Sequence, residues 1–426
     1  MGREMRRRRR REEEEEEVAA EDRLHRRTGR AIDFADILSM SSSTIDLSRR
    51  FLNLIVGNRI PGVKSLWCFD LMHQQLFYPA TPPPPHKVEE FWQKFRRPGT
   101  MMESMGLPFS CFTFRASALN VNGQSWMDCF PLAGGEVICT DQSGRAFLVD
   151  ADACQVGTMP SLHKPKSMPF AVFVPNAKAD NDYDRDGYGS SLFVMERVPK
   201  PELGFNSDQF EAFVYRKPTI SNYTKAWHCH QLPPPPFVRE PKHWHRCSSP
   251  EISSYAVLGG GSHICLSVNG IGTYCLETAS HTWSQVGEWT LPFHGRIDFV
   301  PEFNLWFGLS AEARRLAAAD LFAMDSQPQL VGPWKELNLS EEWRECKDPQ
   351  LVNLGSGRFC IARFFRSHSG FGDEQIAVFT GVEVVPHVGD ANGNANKGSD
   401  GKVQLQMIPH RSKCHISNAT TIDVVF

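Results

Sequence analysis

The residues most suited to chemistry are Asp182-Tyr183-Asp184-Arg185-Asp186-Gly187. Alternate aspartates ahead of a glycine gather carboxylate oxygens around one point, which suits Ca²⁺. An EF-hand would place its next acidic ligand at the twelfth position, where this chain has Phe193. The flanking segments, 170–174 and 192–195, read as strands and not as helices. The expectation is therefore a β-hairpin calcium loop with Asp182, Asp184 and Asp186 as ligands, weighed against a plain solvated acidic turn. A second set is His228, Cys229 and His230 with His243, His245 and Cys247. In a strand, His-x-His directs both imidazoles to one face, and two such pairs would make a zinc site. The stiff Pro233–Pro236 segment and a spacing that matches no established finger favour loop histidines instead.

Other catalytic signatures are missing. The sequence has no G-x-S-x-G, H-E-x-x-H or P-loop, and no G-x-G-x-x-G that opens a helix. Gly259-Gly260-Gly261 leads from one strand into another, so it offers phosphate no helix N-terminus. Cys139, Cys265 and Cys360 sit at repeat-equivalent positions, which points to packing inside strands and away from redox work. Trp283, Trp289 and Trp306 are read as packing before recognition.

The elements that must position these residues are short and β-rich. Of 426 residues, 29 are Phe and 10 are Trp, many in strand-like runs. Phe51–Val56 and Ser65–Leu71 flank the turn Pro61-Gly62 and read as a hairpin. Residues 89–95 are a helical candidate ended by Pro98-Gly99. Gly134-Gly135-Glu136-Val137-Ile138-Cys139 recurs as Gly260-Gly261-Ser262-His263-Ile264-Cys265, and more loosely as Gly357-Arg358-Phe359-Cys360. The first two copies lie 126 residues apart, which reads as three periods of 42. Repeats of roughly 40–50 residues built from short strands indicate propeller blades.

The best-defined unit runs from Ser254 to Trp289, where Ile264, Leu266 and Val268 alternate with His263, Cys265 and Ser267, a period of two that turns one face inward. Further blades are expected near Ile297 and Leu351, with two more around residues 170–198 and 210–232. The fold class is thus all-β, a propeller of about six blades (five to seven). It spans residues 49–412, between a disordered charged tail (1–48) and a C-terminal tail (413–426). Ring closure is expected between residues 51–78 and the strands at 382–385 and 403–408. The insertion at 389–401 reads as a loop.

One segment carries a resemblance. Gly272-Thr273-Tyr274-Cys275-Leu276-Glu277-Thr278-Ala279-Ser280-His281-Thr282-Trp283 resembles a kelch repeat, and Phe299–Gly308 continues it. Together they look like a plant protein family, expanded in grasses, related to the kelch and F-box-associated propellers. That resemblance implies a β-propeller and partner recognition without catalysis. Residues 1–50 lack the apolar, Leu-Pro-led pattern of an F-box, so a ubiquitin-ligase adaptor role is not implied.

Composition narrows the function. A net charge of -3 and a pI near 6.6 give no nucleic-acid signature. No stretch approaches the ~20 apolar residues of a membrane span. Arg6–Arg11 followed by Glu12–Glu17 is not a secretory signal, although the arginine block could serve nuclear import. The 12 scattered cysteines read as reduced, which makes the sequon at Asn418 idle. The expectation is a soluble, non-enzymatic, kelch-like binding module of the cytoplasm or nucleus. It would take a protein partner, need no cofactor beyond a possible Ca²⁺, and shows no sign of oligomerisation. The alternative is a propeller hydrolase or lyase acting on sugars, with Ca²⁺ at the aspartate loop.

Overall fold

Glycine turns between short apolar runs fold the chain back on itself again and again. The computed structural model describes residues 49–78, 102–116, 125–175, 188–201, 207–216, 226–243, 249–322, 324–336, 343–369, 372–386 and 404–426, all within the unit Asp46–Phe426. The charged segment 1–48, the helical candidate at 89–95, the insertion at 389–401, the aspartate loop, His245 and Cys247 lie outside the described residues.

β1 (Phe51–Asn58) and β2 (Val63–Asp70) form the expected hairpin. Its turn places Gly62 at φ +72°, where a side chain would be strained and would run into Ser125. The one-turn helix α1 (Leu71–Gln74) follows, capped by Asp70, which accepts from the Met72 N–H. Next come β3 (Glu103–Ser104) and β4 (Ser110–Arg115), and β4 completes the sheet of β1 and β2. The second sheet holds β5 (Met127–Pro131), β6 (Glu136–Asp141), β7 (Ala146–Asp150) and β8 (Gln155–Thr158). The third holds β9 (Pro169–Val174), β10 (Tyr188–Glu196), β11 (Ser207–Arg216) and β12 (Ala226–Leu232), followed by the short helix α2 (Pro236–Arg239).

The fourth meander comprises β13 (Ile252–Leu258), β14 (His263–Val268), β15 (Gly272–Glu277) and β16 (Thr282–Gly287). The fifth comprises β17 (Phe293–Val300), β18 (Leu305–Ser310), β19 (Leu316–Ala319) and β20 (Leu330–Trp334). These two share hydrogen bonds where β13 and β17 run parallel, at Ser254–Ala256 against Gly295–Ile297. The sixth comprises β21 (Arg344–Gly355), β22 (Arg358–Ser369), β23 (Gly372–Pro386) and β24 (Leu405–Ser417), with β3 on its outer edge. β25 (Thr420–Val425) returns to pair with β1.

Each meander has four antiparallel strands, and the first strands of successive meanders lie beside one another: β5 by β9, β13 by β17, β17 by β21 and β21 by β25. Six blades around one axis make a β-propeller, in line with the expected count. The core is a set of layers between blades. Phe170, Phe210, Ile264 and Tyr274 fill the seam of blades 3 and 4, Phe293, Trp306 and Cys265 that of 4 and 5, and Phe307 and Phe359 that of 5 and 6. A middle strand therefore buries both faces. In β14 every residue from Ile264 to Val268 is buried, so the one-sided alternation expected there is corrected.

Three further expectations change. The Gly-Gly copies fall on the second strands of blades 2 and 4, so their 126-residue separation spans two long blades and not three short ones; Cys360 lies at the matching place in blade 6. Segments 170–198 and 210–232 are two halves of one blade, because β10 pairs with both β9 and β11. Closure does not use 382–385, which belong to β23, or 405–408, which belong to β24 of blade 6, while residue 403 lies outside the described residues. The residues set apart as a C-terminal tail are instead the end of β24 and the closing strand β25, and Ile422, Val424 and Val425 supply its β-branched apolar residues.

The closure is clamped from blade 6. Gln350 Nε2 donates to the Asp423 carbonyl at 2.9 Å, and Gln350 Oε1 accepts from the Val425 N–H at 2.7 Å. Lys347 Nζ reaches the Ile422 carbonyl at 3.3 Å and also that of Asp423. Gln350→Ala takes the acceptor from the Val425 N–H, while Lys347 still holds the Asp423 carbonyl, and is expected to cost about 1–3 kcal/mol, read as a lower urea midpoint. An unchanged midpoint would remove the clamp from the account.

Candidate functional site

Two places gather chemistry. The first lies between blades 2 and 3. In the buried middle of strand β11, Phe210–Val214, every residue is apolar except Glu211, which is fully buried. A bare carboxylate there would be very costly, and the linker from β8 to β9 supplies its partners. Lys166 Nζ, itself buried, pairs with Glu211 Oε1 and also donates to the Lys164 carbonyl at 2.7 Å. His163 gives Glu211 Oε2 its backbone N–H at 2.8 Å and its Nδ1 at 2.6 Å. From the next strand, β12, Cys229 Sγ lies 3.3 Å from the same oxygen and 3.9 Å from His163 Nδ1.

Burial alone would raise the Glu211 carboxyl, but the Lys166 charge and hydrogen bond, with the backbone and side-chain hydrogen bonds of His163, hold it below the ordinary carboxylate range. Burial first, and then the Glu211 charge, push the Cys229 thiol far up. The linker has a second anchor: the Ser167 N–H donates to Glu196 at 2.9 Å. His163, Glu211 and Cys229 form the metal-capable group of three found among the described residues.

Of the zinc set expected from sequence, the described members His228, Cys229, His230 and His243 are not brought together as a metal-capable group, and His245 and Cys247 lie outside the described residues. His228 and His230 share a face of β12, their ring centres 6.3 Å apart. Arg216 Nη2 donates to His230 Nε2 at 3.0 Å, so that imidazole is spent as an acceptor. Burial and then Arg216 lower its pKa. Cys229 points to the opposite face, toward Glu211, and His243 bonds to Glu240 at 3.0 Å. The calcium ligands Asp182, Asp184 and Asp186 lie outside the described residues.

The second place is an apolar groove of about 380 Å³ between blades 4 and 5, lined by Leu258, His263, Val286, Trp306, Leu321 and Phe322. The Gly259–Gly261 turn borders it, and Gly260, at φ +63°, puts no side chain over it. Trp306 forms the floor: it is 3% exposed and its Nε1 is 3.5 Å from the Val257 carbonyl. Phe322 and Phe299 each sit 4.6 Å from the Trp306 ring, centre to centre, and form the rim. Phe322 is 61% exposed and Phe299 37%. The Asp320 side chain accepts the Phe322 N–H at 2.8 Å, which turns that ring outward. Trp283, by contrast, is packing: it lies edge-on to Phe210 and donates to the Pro233 carbonyl.

Acidic groups on the inner strands are mostly paired. Asp298 meets Arg296 at 2.7 Å, Asp348 meets His294 at 2.9 Å, and Asp423 meets Lys64. Asp128 on β5 is the exception. Burial raises its carboxyl to about 6, against Lys64 and with Glu196. Cys139, Cys265 and Cys360 are fully buried, as their repeat positions implied, and the eleven cysteines among the described residues are free thiols. No helix among the described residues is long and apolar enough to cross a membrane.

A family model described as "Protein of unknown function (DUF1668)" matches residues 49–415, from the entry to β1 into β24. The chain belongs to the DUF1668 family. Both candidate places fall inside the matched DUF1668 residues, while the closing strand β25 lies beyond them. No curated protein matches the chain. Similar solved structures include the Cps50 (Swd1) β-propeller domain of Myceliophteria thermophila, at 9% identity and a TM-score of 0.35, covering 79% of this chain and 82% of that one. The WD40 domain of SCAP from fission yeast matches at 10% identity and a TM-score of 0.31, covering 87% and 86%. The propeller architecture of this DUF1668 chain rests on its own six meanders.

Glu211→Gln strands the Lys166 charge and is expected to cost about 3–5 kcal/mol, whereas Glu211→Leu with Lys166→Met recovers much of that loss. Equal unfolding midpoints for the two variants would contradict the ion-pair reading. Asp128 has a folded pKa above its unfolded value, so it destabilises the protein above about pH 6, and that penalty vanishes below the ordinary value of 3.8. Asp128→Asn should therefore stabilise by about 3 kcal/mol at pH 7.5 and hardly at all at pH 3.5. A pH-independent difference in urea titrations would refute this.

Proposed function

We propose that the protein is a non-enzymatic, kelch-like binding module that takes an extended protein segment into the groove between blades 4 and 5. The observation that carries the reading is the exposed Phe322 and the partly exposed Phe299, packed on the buried Trp306 floor. Monomeric proteins seldom leave clustered aromatic rings in water, and buried aromatic anchors dominate interface energies. The rim extends beyond the cavity, which suits a partner surface better than an enclosed small ligand. The anchor residue taken into the groove would be aliphatic or aromatic, since the lining offers few polar groups. Free thiols suit a reducing compartment, the cytoplasm or nucleus.

The second reading, a hydrolase or lyase acting on sugars, is favoured by Asp128, whose raised pKa suits a general acid. The pairing of the other inner-strand carboxylates with bases speaks for binding. Polysaccharide turnover by the full chain that Asp128→Asn abolished would shift the balance to that reading.

Peptides selected by display against the full chain should share an aliphatic or aromatic anchor. Phe322→Ala should weaken them by roughly 30-fold, the value of an interface aromatic, at an unchanged melting temperature. Selected peptides that bind Phe322→Ala as well as the native chain would place the recognition surface elsewhere.

A further inference from the structure

We propose that His163, Glu211 and Cys229 form a binding site for a borderline divalent transition ion, zinc foremost, at the seam of blades 2 and 3. The donors are an imidazole nitrogen, a carboxylate oxygen and a thiol sulfur, all within 4.8 Å of one another. Zinc binds these atom types at about 2.0–2.3 Å, so tetrahedral ligands stand roughly 3.3–3.7 Å apart. The Cys229–Glu211 separation of 3.3 Å and the Cys229–His163 separation of 3.9 Å are already near that size. The His163–Glu211 edge, at 2.6 Å, is a hydrogen bond that a metal replaces. His163 must retreat by about 0.7 Å to reach the tetrahedral spacing. Its side chain is 45% exposed and sits on a linker, so it has room to do so.

The neighbours suit an ion. Lys166 holds Glu211 Oε1 and leaves Oε2 to bind through one oxygen, the outer-shell support that ligating carboxylates receive. The Ser167–Glu196 bond fixes the linker on the far side. Exposure of His163 opens the fourth position to water and provides the entry path. On binding, the thiol proton leaves to solvent and the imidazole carries its hydrogen on Nε2, so one proton is released per ion. The ion then replaces the Cys229 thiol's hydrogen bond to Glu211 with shared coordination. Sulfur among the ligands excludes calcium and magnesium as the intended guests.

The test uses the full chain under a non-thiol reductant, titrated with Co²⁺ and followed by absorption, with metal analysis after Zn²⁺ loading. The expected result is one equivalent bound, a thiolate-to-cobalt band in the near ultraviolet and a tetrahedral visible spectrum. Cys229→Ser should abolish the thiolate band at an unchanged melting temperature, and His163→Ala should weaken binding at least tenfold. Failure of the native chain to bind one equivalent would overturn the proposal. So would binding and spectra unaltered in both variants, which would put the ion elsewhere.

Discussion

Everything in the molecule hangs on the pairing of its last strand with its first. A propeller blade buries both faces only if a blade stands on each side of it, so an open ring leaves two apolar faces in water. The register Leu54–Val425 to Asn58–Thr420 prevents this by placing β25 inside blade 1. The Asn53 and Phe426 backbones exchange two further hydrogen bonds, of 2.8 and 3.0 Å. This pairing joins residues more than 350 positions apart. The loop it closes is long, but loop entropy grows only with the logarithm of length, so an apolar strand seated between two blades can hold it. The Gln350 clamp then ties the closure to blade 6.

With the ring closed, the seams become the places where function can differ from packing. Most seams are filled by interdigitated Phe, Ile, Leu and Val. The seam of blades 2 and 3 departs from this by admitting a carboxylate, and the linker above it is drawn in to neutralise that charge. The seam of blades 4 and 5 departs by remaining partly open. Its glycine turn withholds side chains on one wall, and the loop after β19 stands Phe322 edge-on against Trp306 with most of its surface in solvent. Each departure draws on a connecting segment, the linker with His163 and the loop with Phe322, where recognition residues most often sit.

The repeat character was legible because each blade needs its own glycine turns and apolar strands, and the copies in blades 2, 4 and 6 keep them. The blade boundaries were less legible. Blades of unequal length made two units look like three periods, and the break between β10 and β11 resembled the end of a blade. The closing strand was hidden because its partner is remote in sequence. Cys229 stood out, but its true partners come from segments 66 and 18 residues away, with no motif spacing. One local signal did exist: Glu211 sits in Phe-Glu-Ala-Phe-Val, a charge inside an otherwise apolar run. Phe322 had none, because an exposed aromatic and a core aromatic look alike until the chain is folded.

Amide hydrogen exchange across the full chain tests the closed ring most directly. If β25 is an inner strand of blade 1, the Phe426 amide, bonded to the Asn53 carbonyl, and the Val425 amide, bonded to Gln350, exchange only on global unfolding, as slowly as those of β14. Rapid exchange of residues 420–425, at the rate of a free terminus, would contradict the account.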